Sequence, residues 1–465
     1  MKYIFPLATL LAVLPCLAQA QTSAPAPAST APQESVEAEV AKIRDPAVLT
    51  RLVAHARQSG DKEAETAALD RRIALRPHIG AYKLDKVVTL AREDRKSEAY
   101  TLLIELQNTG YAFDLRDDER FENIASTQVW GYILSNFEAN REPYGSATLA
   151  YTLPREDLLA ESLAFDPTRK QLLVGSARDG KVFVVSGEGK LSPLVSADEK
   201  NGMWAVFDLA VDAKRGFLWV ASTAAPHFKN YDAEKDFGRA GIFQFDLKTG
   251  KFIKHFLSPP AQGGQPFFLT SVVVGPDGAV YAADGVNRAL YQVRDGQFRR
   301  ILHLPMLTAM SALTVSDDGK RLYVADPQLG IIGLELSTLK PFDVRVPTKL
   351  SLEGISSLNW HEGALVIVQA GMNPKRVMRL ELSPEGNTIV KLMPIESSNP
   401  HFGTLGSATL DGSTLYLVAN EQKDNYDRFG LLRSKDKLEA TKILRMDADP
   451  TPPEAPQAVP MAPVN

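Results

Sequence analysis

A short strand pattern that recurs through the last two thirds of the chain is the feature that most constrains its fold. In the clearest copy, an Asp-Asp-Gly turn at 317–319 precedes the apolar run Leu322–Ala325 and then Asp326. Comparable runs are found at 173–176, 219–222, 281–284, 367–370 and 417–420. Equivalent positions in successive copies lie 42 to 62 residues apart. Repeats of this length, built from short strands and turns, are typical of propeller blades, so six copies predict a six-bladed β-propeller.

The strand that closes this propeller has two candidates in the sequence. Residues 147–153 have a strand pattern and precede the first blade, whereas residues 440–446 follow the last blade. Either stretch could complete the sixth blade and close the ring, and the sequence does not decide between them. The predicted propeller therefore covers residues 147–446.

Residues 34–140 differ from the propeller because their apolar positions have helical spacing. The pattern at positions 52, 53, 56 and 64 recurs 35 residues later at 87, 88, 91 and 99. Two helix-turn-helix units of this period resemble tetratricopeptide repeats, which implies a short groove for a peptide or protein. The alternative is a cap that packs on the propeller, since two repeats are fewer than such arrays usually need. The predicted fold is thus mainly β, with a small α-helical repeat domain in front.

The start of the chain has the features of a secretory signal. Residues 1–20 contain Lys2, an apolar core and the sequence Ala18-Gln19-Ala20, which predicts a signal peptide cleaved before Gln21. The apolar run is too short to predict a membrane span in the mature chain. We expect residues 21–33 to form a flexible linker and the Pro-rich residues 447–465 to form a disordered tail.

Cysteine usage fits export to a bacterial periplasm. Cys16 is the only cysteine, and it lies within the predicted signal, so the mature chain can form no disulfide. A lipid anchor at Cys16 is the alternative, but Pro15 stands where a lipidation motif has a small residue. We therefore expect a periplasmic location.

Charge and motifs exclude several functions. The net charge of -4 gives no indication of the concentrated basic face that nucleic-acid binding needs. The chain lacks a Gly-x-Ser-x-Gly elbow, a phosphate-binding Gly-x-x-x-x-Gly-Lys-Ser/Thr loop and a His-Glu-x-x-His motif. The expected partner is a small-molecule ligand or a periplasmic protein.

Aligning the repeats predicts which side chains surround the central axis. One alignment places at equivalent positions Glu161, Phe207, Thr270, Ser311, Ser356 and Thr404. A shift of one residue replaces them with Ser162, Asp208, Ser271, Ala312, Ser357 and Leu405. Each set contains a single acidic residue. We take the polar members of the first set, together with Asp208, as candidate ligand-binding residues.

An unusually long connection in the second blade supplies two further candidates. Residues 223–240 contain His227 and Tyr231, and this connection is longer than a hairpin needs. One interpretation is a lid or recognition loop, and the other is a surface excursion that packs on its own aromatic residues.

The segments 161–167, 174–176, 204–206 and 316–326 resemble the senescence-marker-protein/gluconolactonase-like group of six-bladed propellers. Enzymes of that group hold a divalent cation on the axis and hydrolyse lactones or esters. The resemblance implies Glu161 as a metal ligand, with Ca²⁺ or Zn²⁺ as the candidate ion. Glu353 could reach inward as a second ligand, with Asp208 assisting.

The remaining axial positions weaken this enzyme hypothesis. They are mostly hydroxyls, which are weak ligands for a hard divalent cation that needs several carboxylate oxygens. The sequence therefore favours a non-catalytic binding module for a small ligand or partner protein. A divalent-metal-dependent lactone or ester hydrolase is the alternative.

Overall fold

The computed structural model describes residues 35–259 and 265–450. Helices come first in this part of the chain, and six four-stranded antiparallel sheets follow. The predicted six-bladed β-propeller with a helical region in front is confirmed. The predicted signal peptide with Cys16, the predicted linker and residues 451–465 of the predicted tail lie outside the described residues.

The helices of the N-terminal region begin and end at residues suited to those positions. Asp45 and Asp61 accept hydrogen bonds from the backbone N–H groups of Ala47 and Ala64, which caps two successive helices. Gly60 ends the first of the two in the left-handed conformation, with φ of 77°. The helices are α1 Val36–Ala41, α2 Pro46–Ser59, α3 Lys62–Leu75, α4 Gly80–Arg92, α5 Lys96–Asn108, α6 Glu122–Ala125 and α7 Gln128–Ala139. Their likeness to tetratricopeptide repeats stays a prediction.

The strands follow one another through six successive blades, except that the first strand of the chain, β1 Thr148–Thr152, belongs to the sixth blade. Blade one consists of β2 Ala160–Asp166, β3 Gln171–Ser176, β4 Lys181–Val185 and β5 Leu191–Ser196. Blade two consists of β6 Ala205–Asp212, β7 Phe217–Thr223, β8 Ala240–Asp246 and β9 Phe252–Leu257. Blade three consists of β10 Leu269–Val274, β11 Val280–Asp284, β12 Ala289–Arg294 and β13 Gln297–His303. Blade four consists of β14 Ala312–Val315, β15 Arg321–Asp326, β16 Gly330–Glu335 and β17 Lys340–Asp343. Blade five consists of β18 Ile355–His361, β19 Ala364–Gln369, β20 Arg376–Leu382 and β21 Ile389–Ser397. Blade six contains β22 Ala408–Asp411, β23 Thr414–Val418 and β24 Lys442–Asp447 together with β1. A short helix, α8 Ala233–Asp236, lies between β7 and β8.

Both candidate closing strands take part in closing the ring. The sixth blade has the strand order β22-β23-β24-β1, so the last strand of the chain is third and the first strand is outermost. Leu149 pairs with Leu444 and Tyr151 with Ile443 across this junction. The sequence offered the two stretches as alternatives, whereas the structure places them side by side.

The helical region packs against loops of the fourth and fifth blades. The Ala112 N–H donates to the Asn373 carbonyl at 2.9 Å, and the Asn373 side chain donates back to the Ala112 carbonyl at 2.8 Å. Buried Arg376 donates to the Thr109 carbonyl at 3.1 Å. Met372 lies in the same apolar cluster as the core of α4, α5 and α7. The contacts are those expected of a cap on the propeller.

A β-bulge occurs near the start of the innermost strand in four blades. Pairing of this strand with its neighbour skips one residue, and the skipped residues are Glu161, Phe207, Thr270 and Ser356. A bulge places two consecutive residues opposite one, which turns an additional side chain towards the same side. Both of the predicted alignments therefore contribute residues to the axis.

Side chains of the innermost strands also join neighbouring blades. The inner edge of each such strand faces the axis, where no further strand can accept its N–H groups, so those groups need other acceptors. Here a side-chain oxygen of one blade accepts from the backbone of the next. Asp208 Oδ2 accepts from Val272 N at 2.8 Å. Three further bonds measure 3.2 Å, in which Ser271 Oγ accepts from Leu313 N, Ser357 Oγ from Ala408 N and Ser407 Oγ from Leu163 N. We call these four acceptors the inter-blade belt.

We expect Ser271→Ala to lower the free energy of unfolding by about 1–2 kcal/mol, because it leaves the Leu313 N–H without its acceptor. Chemical denaturation of the full chain measures this change. The matched control is Ser192→Ala on the exposed outer strand β5, which should stay within about 0.5 kcal/mol of the parent. Equal effects of the two substitutions would show that the belt does not stabilise the ring.

Candidate functional site

The innermost strands of the six blades enclose an axial channel with a volume of about 630 Å³. Three groups of side chains line its wall: hydroxyls, which we call the hydroxyl ring, an aromatic pair and a charged cluster. Thr270, Ser311 and Ser356 form the hydroxyl ring. Phe207 and Phe268 are the aromatic pair, and the charged cluster consists of Glu161, Glu421 and Lys423.

The hydroxyl ring presents oxygen lone pairs to the channel. The Thr270 hydroxyl donates to the Met310 carbonyl at 2.6 Å, and the Ser311 hydroxyl donates to the Ile355 carbonyl at 2.7 Å. Each proton is therefore directed at the backbone of the following blade. A hydroxyl that donates its only proton keeps lone pairs that can accept. The ring thus acts mainly as a set of fixed hydrogen-bond acceptors.

Asp208 is the acidic residue of the channel wall that lies outside the charged cluster. Its carboxylate accepts from the backbone N–H groups of Leu209 at 2.9 Å and Val272 at 2.8 Å, and from the Ser271 hydroxyl at 2.9 Å. Burial raises the pKa of Asp208 to about 6, and the three hydrogen bonds oppose this rise. At neutral pH Asp208 is therefore an anion whose position is fixed by the belt.

An aromatic pair supplies an apolar part of the wall. The rings of Phe207 and Phe268 are 4.6 Å apart between centroids and tilted by 56°. Phe207 stands at the bulge of β6, directly before Asp208. The channel therefore combines an apolar surface with hydrogen-bond acceptors on neighbouring positions.

The charged cluster contains an internal cation. The ammonium of Lys423 lies 3.0 Å from Glu161 Oε2 and 3.1 Å from Glu421 Oε1. Burial and the nearby charge of Glu161 raise the pKa of Glu421 well above its usual value. Burial acts in the same direction on Glu161, but Lys423 and a hydrogen bond from Glu421 leave its pKa below the usual value. Glu161 therefore loses its proton more readily than Glu421 does.

The sequence analysis missed Glu421 and Lys423. Both lie in the insertion at 419–441, which connects β23 to β24. Its length was the available signal, because it exceeds that of most connections between strands, as does the loop at 224–239 between β7 and β8. Length alone did not show that the insertion returns to the axis.

These two long connections are tied together beside the first blade. Arg178 binds both carboxylate oxygens of Asp157, at 2.8 and 3.0 Å. The same guanidinium donates to the carbonyls of His227 and Gly430 and lies 5.3 Å from the Tyr426 ring centroid. His227 packs edge-on against Tyr426, and burial lowers its pKa, so it is neutral at pH 7. The two connections therefore form one surface.

The structure brings most of the predicted site residues together. Five of them line the channel: Glu161, Asp208, Thr270, Ser311 and Ser356. Thr404 is bonded instead to Asp424 of the insertion, at 3.1 Å. His227 belongs to the surface tied by Arg178, while Tyr231 packs on the apolar cluster that includes Phe228.

Glu353, the second candidate metal ligand, is not among the residues that line the channel. Its carboxylate accepts from the Gly80 N–H at 3.0 Å and from the Tyr111 hydroxyl, both of which belong to the helical region. Burial raises the pKa of Glu353. The structure thus places it at the contact between helices and propeller rather than at the axis.

The donor set at Glu161 does not fit a divalent cation. Such an ion prefers several oxygen ligands with carboxylates among them. In the described residues of the charged cluster, both carboxyl groups already lie at salt-bridge distance from the Lys423 ammonium. His361, Glu362 and Asp449 form another group at ligand distance, but Arg379 lies 3.0 Å from Asp449 and competes for it.

Comparison with known proteins gives a partial family likeness. Residues 204–346 match the family model described as Major royal jelly protein. This stretch covers blades two, three and four. No curated protein matches the chain.

Several solved structures share the general architecture. A virginiamycin B lyase from Staphylococcus aureus is 14% identical, with 61% of this chain and 84% of that chain covered and a TM-score of 0.41. A gluconolactonase from Xanthomonas campestris is 15% identical, and the match covers 66% of this chain and 92% of that chain with a TM-score of 0.43. An aldose sugar dehydrogenase from Streptomyces coelicolor, with PQQ bound, is 16% identical, with coverages of 66% and 99% and a TM-score of 0.41. At these TM-scores the likeness carries no information about function.

The raised pKa of Asp208 predicts a specific dependence of stability on pH. Its value of about 6 in the folded chain lies above the value of about 3.9 in an unfolded chain. The folded state therefore binds the proton more tightly, and this residue stabilises the fold as the pH falls from 7 towards 4. We expect the parent chain to gain about 2 kcal/mol over this range relative to Asp208→Asn.

Urea denaturation at several pH values measures this difference. The matched control is Asp411→Asn, which removes an exposed carboxylate at the end of β22. Parallel pH curves for the parent and Asp208→Asn would contradict the assignment of Asp208 as a buried anion.

Proposed function

We propose that this chain is a non-catalytic binding protein that holds a small polar ligand in the axial channel. The channel itself is the observation that carries the proposal. Its volume of about 630 Å³ falls in the range of small-molecule sites, roughly 300–1,000 Å³. Such sites combine apolar walls with a few fixed polar groups. Here Phe207 and Phe268 supply the apolar part, and Asp208 with the hydroxyl ring supplies the polar part.

The rigidity of the wall supports this proposal. Thr270 and Ser311 are each bonded to the backbone of the following blade, so neither needs to reorient before it accepts from a ligand. Asp208 is fixed by three donors. Side chains that are already in place lose little conformational entropy on binding, which favours affinity.

The alternative of a metal-dependent lactone or ester hydrolase has less support. Lys423 already supplies a positive charge between the carboxyl groups of Glu161 and Glu421. A divalent cation at this position would be repelled by that ammonium. We therefore derive no catalytic step through a metal.

We propose further that the protein acts after export, in the periplasm. The support is the signal-like sequence of residues 1–20, which ends in Ala18-Gln19-Ala20. No helix among residues 35–259 and 265–450 is long and apolar enough to cross a membrane.

A substitution that blocks the channel with a large side chain, which we call the plug, tests the binding proposal. We expect Ser356→Phe to fill the space beside the hydroxyl ring, because Ser356 lies at a bulge and lines the channel. A thermal-shift screen with sugars, sugar acids, amino acids and amines should find compounds that raise the melting temperature of the parent chain. The same compounds should have no effect on Ser356→Phe.

The matched control for the plug is Ser192→Phe, on the exposed strand β5. It should respond to the ligands as the parent does. Compounds that stabilise the plugged variant as strongly as the parent bind elsewhere, and that result would overturn the proposal. So would a screen in which no compound stabilises the parent.

Titration with metals distinguishes the binding protein from the hydrolase. We expect 1 mM Ca²⁺ or Zn²⁺ to leave the melting temperature unchanged, because Lys423 occupies the position between the two carboxyl groups. A stabilisation by metal that disappears in Glu161→Gln would instead support the hydrolase.

A further inference from the structure

The outer strands of the blades are protected from edge-to-edge pairing in two different ways. A proline blunts a strand edge because it removes an N–H donor, and charged side chains do so by repulsion. Pro193 lies in β5, Pro341 in β17 and Pro394 in β21. The outer strands β9 and β13, by contrast, contain no proline and are flanked by cations.

Five cations are exposed on and beside these two strands. They are Lys248, Lys251, Lys254, Arg299 and Arg300. The described residues provide none of the five with a carboxylate at salt-bridge distance. Most of them stand within or next to two neighbouring strand edges, and we call this group the basic edge.

The carboxylates nearest to the basic edge have other partners. Asp212 binds Arg215 at 3.1 Å, and Asp277 binds Arg294. Asp246 accepts from the backbone N–H and the hydroxyl of Thr249, at 2.8 and 2.6 Å. Among the described residues, Asp246 and the nearby Asp295 bind no cation at salt-bridge distance, so they offset part of the positive charge of the basic edge and leave an excess of cations.

Strands β9 and β13 contact each other, so the cations on and beside them lie on neighbouring outer strands. Lys251 directly precedes β9 and lies three positions before Lys254, which corresponds to roughly 10 Å along an extended chain. Arg299 and Arg300 continue the surface on the next blade. This is a local concentration of positive charge on a chain whose net charge is -4.

We propose that the basic edge binds a linear acidic polysaccharide. A row of cations along adjacent strand edges can neutralise successive anionic groups of a polymer and release its counterions. The site is independent of the axial channel, and it adds a polymer partner to the proposed small ligand.

The aromatic residues of these strands favour a polysaccharide over single-stranded nucleic acid, while the exposed Ile253 and Leu257 of β9 make a membrane the competitor that the test must exclude. Membrane-binding surfaces usually insert exposed aromatic side chains, and single-stranded nucleic acids stack on them. Phe256 is buried, and Phe252 and Phe298 are partly buried. The described part of the basic edge therefore presents charge without an exposed aromatic platform.

Heparin serves as the probe polymer. We expect the full chain to bind immobilised heparin at 50 mM salt, with an affinity that falls steeply as salt rises. Neutralising the basic edge with Lys251→Gln, Lys254→Gln and Arg299→Gln should weaken binding at least tenfold and reduce the salt dependence. The matched control changes the net charge equally at exposed cations elsewhere, with Lys349→Gln, Lys435→Gln and Lys437→Gln.

The outcomes separate the proposal from its competitors. Failure of the parent to bind heparin, or equal weakening by the two triple variants, would overturn it. Tighter binding to phosphatidylglycerol vesicles or to a single-stranded oligonucleotide than to heparin would also overturn it. If the cations only prevent edge pairing, the first variant should self-associate in light scattering while its heparin affinity stays unchanged. Binding of small ligands in the channel should be the same in all three proteins.

Discussion

The structure depends on how the innermost strands satisfy the backbone N–H groups that face the axis. No further strand fits there, so side chains of the neighbouring blade accept from those groups, as Ser271 does for Leu313 and Ser357 for Ala408. This requirement explains why hydroxyls are frequent near the axis. A serine in such a position, such as Ser271 or Ser357, serves the ring of blades rather than a ligand. Part of the hydroxyl-rich pattern near the axis therefore has a structural cause, whereas Thr270 and Ser311 donate to backbone carbonyls instead.

The repeat pattern was sufficient to predict the fold. Each predicted anchor run is the second strand of a blade, and Asp326 ends β15 as the clearest copy indicated. The axial residues were predicted only to within one position. The reason is the bulge at residues such as Phe207 and Thr270, because an inserted residue changes which side chains face the axis without leaving a periodic signal.

The rest of the site depends on contacts between parts that are distant in the sequence. Lys423 reaches Glu161 across 262 positions of the chain, because the blade-six insertion folds back over the first blade. Glu353 was expected near the axis, but the helical region docks on it through Gly80 and Tyr111. Neither contact follows from strand period or turn chemistry, since both are decided by where a loop or domain packs.

The shared sixth blade also determines the order in which the chain can be completed during synthesis. β1 precedes every other strand in the sequence, while its partner β24 is the last strand among the described residues. Five blades can therefore assemble while the ring is still open, with the edges of the first and sixth blades exposed to each other and to other chains. A nascent chain truncated before residue 442 would have an unpaired first strand, so the propeller becomes a closed ring only once β24 has been made.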